Sequence, residues 1–256
     1  MTDNKKQVWV FAEQREGEIQ PVVFEILTEA CKIAHKMEAD LSAILLGHNI
    51  EAKAAELAEY GADHVILCDA PEFAAYTTDA ATKQLAHLIQ EHKPEVFFIG
   101  ATHNGRDLGP RLASRIDTGL TADCTSLDVD EESGKLLMTR PAFGGNLMAT
   151  IICPNHDPQM ATVRPGVFKG LPCTANKPLD LIKVNSVVEP ADILTEIVRV
   201  IKENTQEEDI TKANIIVSGG RGVGSAEGFA LLEKLAEKIS ATVSASRGAV
   251  DAGWIS

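Results

Sequence analysis

Short apolar runs alternate with helix-patterned segments through the amino-terminal part of this chain. The predicted strands are residues 8–12, 41–46, 65–68 and 96–99. The predicted helices, which carry apolar residues at helical spacing, are residues 21–36, 51–60 and 77–92. Because a helix between two strands returns the chain to the same sheet, this alternation favours parallel strands with helices on both faces. The sequence therefore predicts an α/β fold built on a doubly wound, mostly parallel sheet.

The pattern changes after residue 123, where strand-like runs follow one another without a helix between them. These runs are residues 124–129, 135–139, 147–153 and 160–163. Turn-rich spacers separate them, which is typical of antiparallel strands, so we expect an antiparallel extension of the sheet. Further along, an apolar run covers residues 181–188, and residues 193–201 fit a strand as well as a helix.

A polar run at residues 202–209 is the predicted linker between two domains. We expect an N-terminal nucleotide-binding-like α/β domain at residues 1–205 and the start of a second α/β domain at residues 206–256. A parallel unit of about fifty residues leaves sheet edges and a helix face uncovered. The second domain is therefore expected to be an incomplete part of a longer one.

A glycine-rich turn, Ser218-Gly-Gly-Arg-Gly-Val-Gly-Ser225, follows a β-branched run and precedes a helical pattern at residues 226–239. Glycines let the backbone approach a phosphate, and N–H groups at a helix start can bind an anion. The turn is not a Walker loop, because Ser225 stands where that motif has lysine, and the dinucleotide pattern fails because Gly228 comes one residue late. Spacing alone leaves a plain tight turn as an equal alternative.

A second loop, which begins at Ser246, is expected to lie beside the glycine-rich turn. The predicted strand at residues 242–245 runs into Ser246 and Arg247. Ligands of open parallel sheets lie beyond the carboxyl ends of the strands, so Arg221 and Arg247 are expected on the same rim. Two guanidinium groups there would favour a phosphate or an electron-rich ring.

These two loops closely resemble those of the alpha subunit of electron transfer flavoproteins, where they form part of the site for flavin adenine dinucleotide (FAD). Three further segments also resemble that family: Gly105-Arg-Asp-Leu-Gly-Pro-Arg111, Thr118-Gly-Leu-Thr-Ala-Asp-Cys124 and Ala161-Thr-Val-Arg-Pro-Gly-Val-Phe168. The resemblance implies that Arg221, Gly222, Ser246 and Arg247 bind FAD. It places Arg247 beside the isoalloxazine ring, where its charge favours the reduced, anionic forms. Family members continue with Gly-Gln-Thr-Gly-Lys, Ser-Gly-Ala-x-Gln-His and Asn-Lys-Asp segments, which this sequence lacks.

The function implied by the resemblance is electron carriage through FAD between flavin dehydrogenases, such as acyl-CoA dehydrogenases, and an acceptor. The N-terminal domain would pack on a beta subunit without holding a flavin of its own. The beta subunit would carry AMP, or a second FAD in an electron-bifurcating complex, which would make this chain part of an oxidoreductase. The sequence leaves the choice between carrier and bifurcating complex open.

Two alternatives come from other functional classes. A nucleotide-binding regulatory module is suggested by the small-residue loop at residues 100–105 and the arginines that follow it, Arg106, Arg111 and Arg115. Hydrolysis is poorly supported because the Walker lysine is missing. A structural subunit that scaffolds its partner is the third interpretation.

Composition narrows the function classes further. A net charge of −13 argues against a nucleic-acid surface. The five cysteines form no C-x-x-C motif and the seven histidines show no ligand spacing, so we predict reduced thiols and no metal site. No signal-peptide pattern and no apolar run long enough to span a membrane are present, which predicts a cytoplasmic protein.

Overall fold

The computed structural model describes residues 5–142, 145, 147–173, 179–195, 197–201, 210 and 213–255. Internal contacts divide the chain into two units, Met1–Ile197 and Val198–Ser256. The predicted linker at residues 202–209 lies outside the described residues.

Unit 1 contains twelve strands and four α-helices among its described residues. The strands are β1 Gln7–Phe11, β2 Gln14–Arg15, β3 Glu18–Ile19, β4 Asp40–Gly47, β5 His64–Asp69, β6 Val96–Gly100, β7 Leu120–Cys124, β8 Ser126–Val129, β9 Leu136–Pro141, β10 Met148–Ile151, β11 Gln159–Val163 and β12 Asp180–Lys183. The helices are α1 Pro21–Met37, α2 Ala54–Glu59, α3 Thr78–His92 and α4 His103–Arg115.

Seven of these strands form one sheet in the order β12-β5-β4-β1-β6-β11-β7, and every neighbouring pair is parallel. The side chains of β1 alternate between the two faces. Val8 and Val10 belong to a core with the buried face of α1, whereas Trp9 and Phe11 belong to a second core with α3 and α4. A strand buried on both faces needs apolar residues at every position, which is the pattern that β1 carries. The doubly wound, mostly parallel α/β fold is confirmed.

Helix α1 illustrates how the local sequence sets these bounds. Pro21 occupies its first turn, where a missing N–H costs nothing, and Glu38 ends it in the left-handed conformation at φ 54°. Its buried residues recur at helical spacing and cover one face of the sheet: Val22, Val23, Ile26, Leu27, Ala30, Ile33, Ala34 and Met37. Burying a side chain of the size of leucine stabilises the fold by about 1.5–3 kcal/mol, so this face anchors the helix.

The antiparallel extension is confirmed for three strands, with the order β10-β9-β8. The fourth run assigned to it, residues 160–163, was predicted wrongly. It is the carboxyl part of β11, which lies parallel between β6 and β7 and pairs Ala161 with Phe98 and Met160 with Leu120. All five residues of β11 are buried, as expected for a strand covered on both faces.

Several other predicted elements have bounds that differ from those in the structure. Strand β7 begins before the run predicted at residues 124–129, and β8 follows it after Thr125. The predicted helix at residues 51–60 divides into a 3₁₀ turn, Glu51–Lys53, and α2. Of the apolar run at residues 181–188, only the first part belongs to β12. The described residues between 193 and 201 adopt neither of the two conformations considered for them.

Unit 2 contains, among its described residues, two strands and two α-helices. Strand β13, Ile216–Gly219, pairs in parallel with β14, Thr242–Ala245. Between them lie a 3₁₀ turn at Arg221–Val223 and helix α5, Ala226–Ile239. Helix α6, Arg247–Val250, follows β14 directly. The strand, glycine turn, helix and strand that the sequence predicts are therefore present.

Candidate functional site

The loops that follow β13 and β14 meet at the carboxyl ends of these strands. The backbone N–H of Ser246 donates a hydrogen bond to the carbonyl oxygen of Gly219 at 2.9 Å. Gly219 is buried, and a Cβ added to it would lie 2.6 Å from side-chain atoms of both Phe229 and Leu232. A larger residue would therefore push α5 away from the end of β13. Glycine at this position therefore allows the close packing of α5 against the end of β13.

The glycine-rich turn is closed by its own hydrogen bonds. The N–H of Val223 donates to the carbonyl oxygen of Gly220 at 3.0 Å, and Gly224 reverses the chain at φ 85°. Ser225 then caps α5 by accepting from the N–H of Gly228 at 3.4 Å. This geometry starts the helix immediately beyond the turn.

Backbone N–H groups at the start of α5 are less available to an anion than the sequence suggests. The Ser225 hydroxyl, followed by the backbone N–H of Glu227 itself, holds the pKa of the Glu227 carboxyl below its usual value. A carboxylate near a helix start is favoured by the helix dipole. The serine hydroxyl and this carboxylate therefore occupy N–H groups at the helix start that an external anion would need.

The four residues predicted to bind FAD fall on the two loops. A Cβ added to Gly248 would lie 3.6 Å from Nε and 3.7 Å from Nη2 of Arg221, so this guanidinium lies along the first turn of α6. A Cβ added to Gly220 would lie 3.5 Å from Oγ of Ser246. A Cβ on Gly222 would meet no atom within 4 Å, so no neighbouring protein group demands a glycine there.

Arg247 extends into solvent, with 92% of its side chain exposed. Its Nε lies 3.4 Å from Oδ2 of Asp251, one helical turn away. An exposed ion pair of this kind is weak, so the guanidinium can change partners at little cost. The rim thus presents two arginine side chains, one lying along α6 and one reaching outward.

The loop between β6 and α4 in unit 1 was the sequence-based alternative for a phosphate site. Thr102 caps α4 by accepting from the N–H of Gly105 at 3.0 Å, and its hydroxyl donates to Oε2 of Glu13 at 2.5 Å. Glu13 is 1% exposed, and its other oxygen receives two hydrogen bonds from Arg15, at 3.0 and 3.1 Å. A carboxylate of the protein already stands at this helix start, which disfavours a second anion.

Two of the arginines of α4 also have acidic partners within unit 1. Arg111 forms an ion pair with Asp79, and Nη2 of Arg106 lies 3.6 Å from Oδ1 of Asp123. Sequence reasoning singled out neither Glu13 nor Asp123. The only signal for Glu13 was its position as the first charged residue after the apolar run at residues 8–12.

No group of three or more histidine, cysteine, aspartate or glutamate side chains suited to a metal ion occurs within the described part of the chain. Over the same residues, no helix is both long and apolar enough to cross a membrane.

Two family models match this chain. The model of the electron transfer flavoprotein domain matches residues 8–188, and the model of the electron transfer flavoprotein FAD-binding domain matches residues 209–256. The chain belongs to the electron transfer flavoprotein family, as an alpha subunit. The second match includes the turn after β13 and the loop after β14, so both candidate loops lie in the part of this alpha subunit that resembles an FAD-binding domain.

Individual relatives agree with this assignment. Protein FixB of Clostridium saccharobutylicum is 54% identical over 98% of this chain and 74% of its own length. The electron transfer flavoprotein subunit alpha of Clostridium acetobutylicum is 52% identical over 98% of this chain and 75% of its own. A subunit of lactate dehydrogenase (NAD(+),ferredoxin), LctC of Acetobacterium woodii, is 39% identical over 96% of this chain and 59% of its own.

The family assignment confirms the resemblance seen in the sequence, together with electron transfer as the role and FAD as the cofactor. An alpha subunit of an electron transfer flavoprotein works with a companion subunit.

Proposed function

We propose that Arg221, Gly222, Ser246 and Arg247 hold the FAD through which this alpha subunit carries electrons between flavin dehydrogenases and an acceptor. The observation that carries the proposal is the hydrogen bond from the Ser246 N–H to the Gly219 carbonyl. It fixes both loops at the carboxyl ends of two parallel strands, where ligands of such sheets bind.

Each residue has a distinct part in this proposal. Gly222 lets the backbone approach the cofactor, because no side chain occupies the space beside it. Arg221, held along α6, and the Ser246 hydroxyl would supply polar contacts to the cofactor. Bound FAD supplies the redox chemistry, and the protein supplies position and charge. Arg247 places a positive charge beside the ring, which favours the reduced, negatively charged flavin.

The division of the chain is part of the proposal. Residues 1–205 form the domain that packs on the beta subunit, and residues 206–256 belong to the FAD-binding domain. The two family matches support this division, because the first ends at residue 188 and the second begins at residue 209.

The names of two relatives support the partners that we assign to this chain. One relative, 44% identical, is the acryloyl-CoA reductase electron transfer subunit beta of Anaerotignum propionicum, and LctC belongs to a lactate dehydrogenase. We assign this chain a beta subunit and an acyl-CoA or other flavin dehydrogenase, in a cytoplasmic complex. The beta subunit holds AMP in a simple carrier and a second FAD in a bifurcating complex.

The first experiment is to purify the chain with its beta subunit and to identify and count the released nucleotides. One FAD with AMP indicates a simple carrier, and two FAD indicate a bifurcating complex. Complexes without FAD would refute the carrier role. Adenine nucleotide bound to this chain purified alone, without flavin, would then favour the regulatory module, although the Glu13 carboxylate at the start of α4 argues against a phosphate there.

A redox titration tests the role of Arg247 in the same complex. Arg247→Ala should lower the flavin potential, because the reduced anionic form loses its neighbouring positive charge. Arg247→Lys should retain much of the effect, and Arg199→Ala, an exposed arginine outside both loops, should change nothing. An unchanged potential in Arg247→Ala would rule out this role while leaving the carrier function intact.

A further inference from the structure

Two cysteine sulfurs in unit 1 lie beside the position that a side chain on Gly61 would occupy. A Cβ added to Gly61 would lie 3.5 Å from Sγ of Cys31 and 3.8 Å from Sγ of Cys173. Cys31 lies on α1 and Cys173 lies in the segment that leads towards β12, so the two thiols come from distant parts of the chain. Gly61 has φ 106°, a conformation that side chains rarely adopt, and its missing side chain leaves the space between the thiols open.

Hydrogen bonds hold the Cys173 segment in this position. The N–H of Cys173 donates to the carbonyl oxygen of Glu59 at 2.7 Å. Two residues earlier, the N–H of Leu171 donates to the hydroxyl of Thr28 at 3.0 Å. Thr28 precedes Cys31 by one helical turn, so the segment runs beside the same face of α1 that carries Cys31. The proximity of the two thiols therefore rests on fixed backbone on both sides.

The thiol pair is accessible to small molecules. Both cysteines line an open cleft of about 660 Å³, together with His35 and Tyr60. Cys173 is exposed and Cys31 is half-buried. Cys68 and Cys124 are fully buried, and burial raises the pKa of the Cys68 thiol to about 11 and that of Cys124 to about 12. Reagents in the solvent thus reach the pair and not these two thiols.

We propose that Cys31 and Cys173 form a site of covalent modification, at which a low-molecular-weight disulfide is exchanged for an intramolecular disulfide. The exposed Cys173 thiolate attacks one sulfur of the small disulfide, forms a mixed disulfide and releases one small thiolate. The Cys31 thiolate then attacks Sγ of Cys173, forms the bond between Cys31 and Cys173, and releases the second small thiolate. Two protein thiols are oxidised and one small disulfide is reduced to two thiols.

Metal binding does not explain the pair. His35 lies one helical turn beyond Cys31 and lines the same cleft, but the two thiols and this imidazole do not form a metal-ligand group within the described residues. The geometry points to a reaction between the sulfurs. The product would tie the segment before β12, an edge strand of the sheet, to α1.

The test is to incubate the native complex of this chain and its beta subunit with glutathione disulfide, and to map peptides without reduction. The wild type should give a peptide linking Cys31 and Cys173, with no glutathione retained on either, and a reducing thiol should reverse it. In Cys31→Ser, Cys173 should retain glutathione because no second thiol resolves the mixed disulfide. In Cys173→Ser, no cross-link should form at Cys31. Cys153, half-buried and donating to the His156 carbonyl at 3.6 Å, is the internal control and should form no cross-link.

Two results would overturn the proposal. The first is glutathione retained on Cys173 in the wild type to the same extent as in Cys31→Ser, which would show that Cys31 cannot reach it. The second is no modification of Cys173 in either protein. Neither result depends on FAD, so the proposal stands or falls independently of the flavin site.

Discussion

Arg164 holds the carboxylate of Asp123 at two points, with Nε 3.2 Å from Oδ1 and Nη2 2.6 Å from Oδ2. Asp123 lies near the end of β7 with φ 63°, and Arg164 follows β11. The pair therefore joins the ends of two neighbouring strands. Two parallel N–H···O bonds give an arginine–carboxylate pair its specificity as well as its strength.

The first prediction concerns this pair and pH. The hydrogen bonds from Arg164, followed by the charges of Arg164, Arg106 and Arg140, hold the pKa of Asp123 below its usual value. A carboxyl with a lowered pKa in the fold stabilises it above the unfolded pKa of about 3.9, and this stabilisation is lost as pH falls through the folded value. Asp123→Asn, which tolerates the same φ, should melt at a lower temperature than the wild type at pH 7. The difference should shrink in melts below about pH 4.

The second prediction concerns the packing of the first turn of α4 against the end of β6. A Cβ on Gly105 would overlap the carbonyl oxygen of Gly100, which is backbone and cannot turn aside. Gly105→Ala should therefore reduce the free energy of unfolding by about 3 kcal/mol. Gly119→Ala is the matched control, since its Cβ would make an ordinary contact of 3.7 Å with Cys153 Sγ. Equal denaturant midpoints for the two variants would contradict the close approach.

The third prediction concerns Thr102. Its hydroxyl both caps α4 and donates to the buried Glu13. Thr102→Val keeps the shape but loses both hydrogen bonds, so we expect a loss of about 1 to 2 kcal/mol in urea unfolding. Thr102→Ser retains the hydroxyl and should stay within about 0.5 kcal/mol of the wild type. A Thr102→Ser variant as unstable as Thr102→Val would point to packing of the methyl group instead.

The fourth prediction compares the two ends of α5. Ser225→Ala removes the cap and should destabilise unit 2 by about 1 kcal/mol. Ser240 ends the helix at φ 52°, where glycine is preferred, so Ser240→Gly should stabilise it by about 0.5 to 1 kcal/mol. Amide hydrogen exchange within α5 should become faster in the first variant and slower in the second. Changes of the same sign would exclude the capping explanation.

The fifth prediction concerns alkaline pH. Burial raises the pKa of Cys68 to about 11 and of Cys124 to about 12, whereas both titrate near about 8.5 in the unfolded chain. The unfolded state therefore loses protons first, and stability falls as pH rises from about 8.5, by roughly 1.4 kcal/mol per pH unit for each thiol. Unfolding free energies of Cys68→Ala should fall less steeply with pH than those of the wild type. Parallel curves would show that Cys68 ionises equally in both states.

The sequence predicted the first four strands of the main sheet because their apolar runs differ sharply from the helical pattern between them. It failed for β7, where Leu120 is followed by Thr121 and Ala122 and then by Asp123 in a left-handed conformation. Local sequence also could not predict that β11 runs parallel to its neighbours in the sheet. A short apolar run carries no information about which strands lie on either side of it.

In the candidate site, too, some features could be predicted from the sequence and others depend on tertiary structure. Spacing and resemblance indicated the two loops of unit 2, and parallel pairing of β13 with β14 accounts for their common edge. The position of Arg221 along Gly248 depends on how α6 folds back, which no motif encodes. Likewise, Glu13 meets Thr102 across 89 residues of sequence, so only tertiary structure could reveal the carboxylate at the start of α4.

The place of β11 in the sheet has a consequence for synthesis of the chain. Strands β6 and β7 emerge from the ribosome earlier, but they cannot pair with each other because β11 belongs between them. Until residue 163 has been made, β6 and β7 have unpaired edges on the sides where β11 will lie. During this time the antiparallel strands β8–β10 are being synthesised. Ribosome pausing within this stretch would leave the edges of β6 and β7 unpaired on that side, and exposed strand edges favour aggregation.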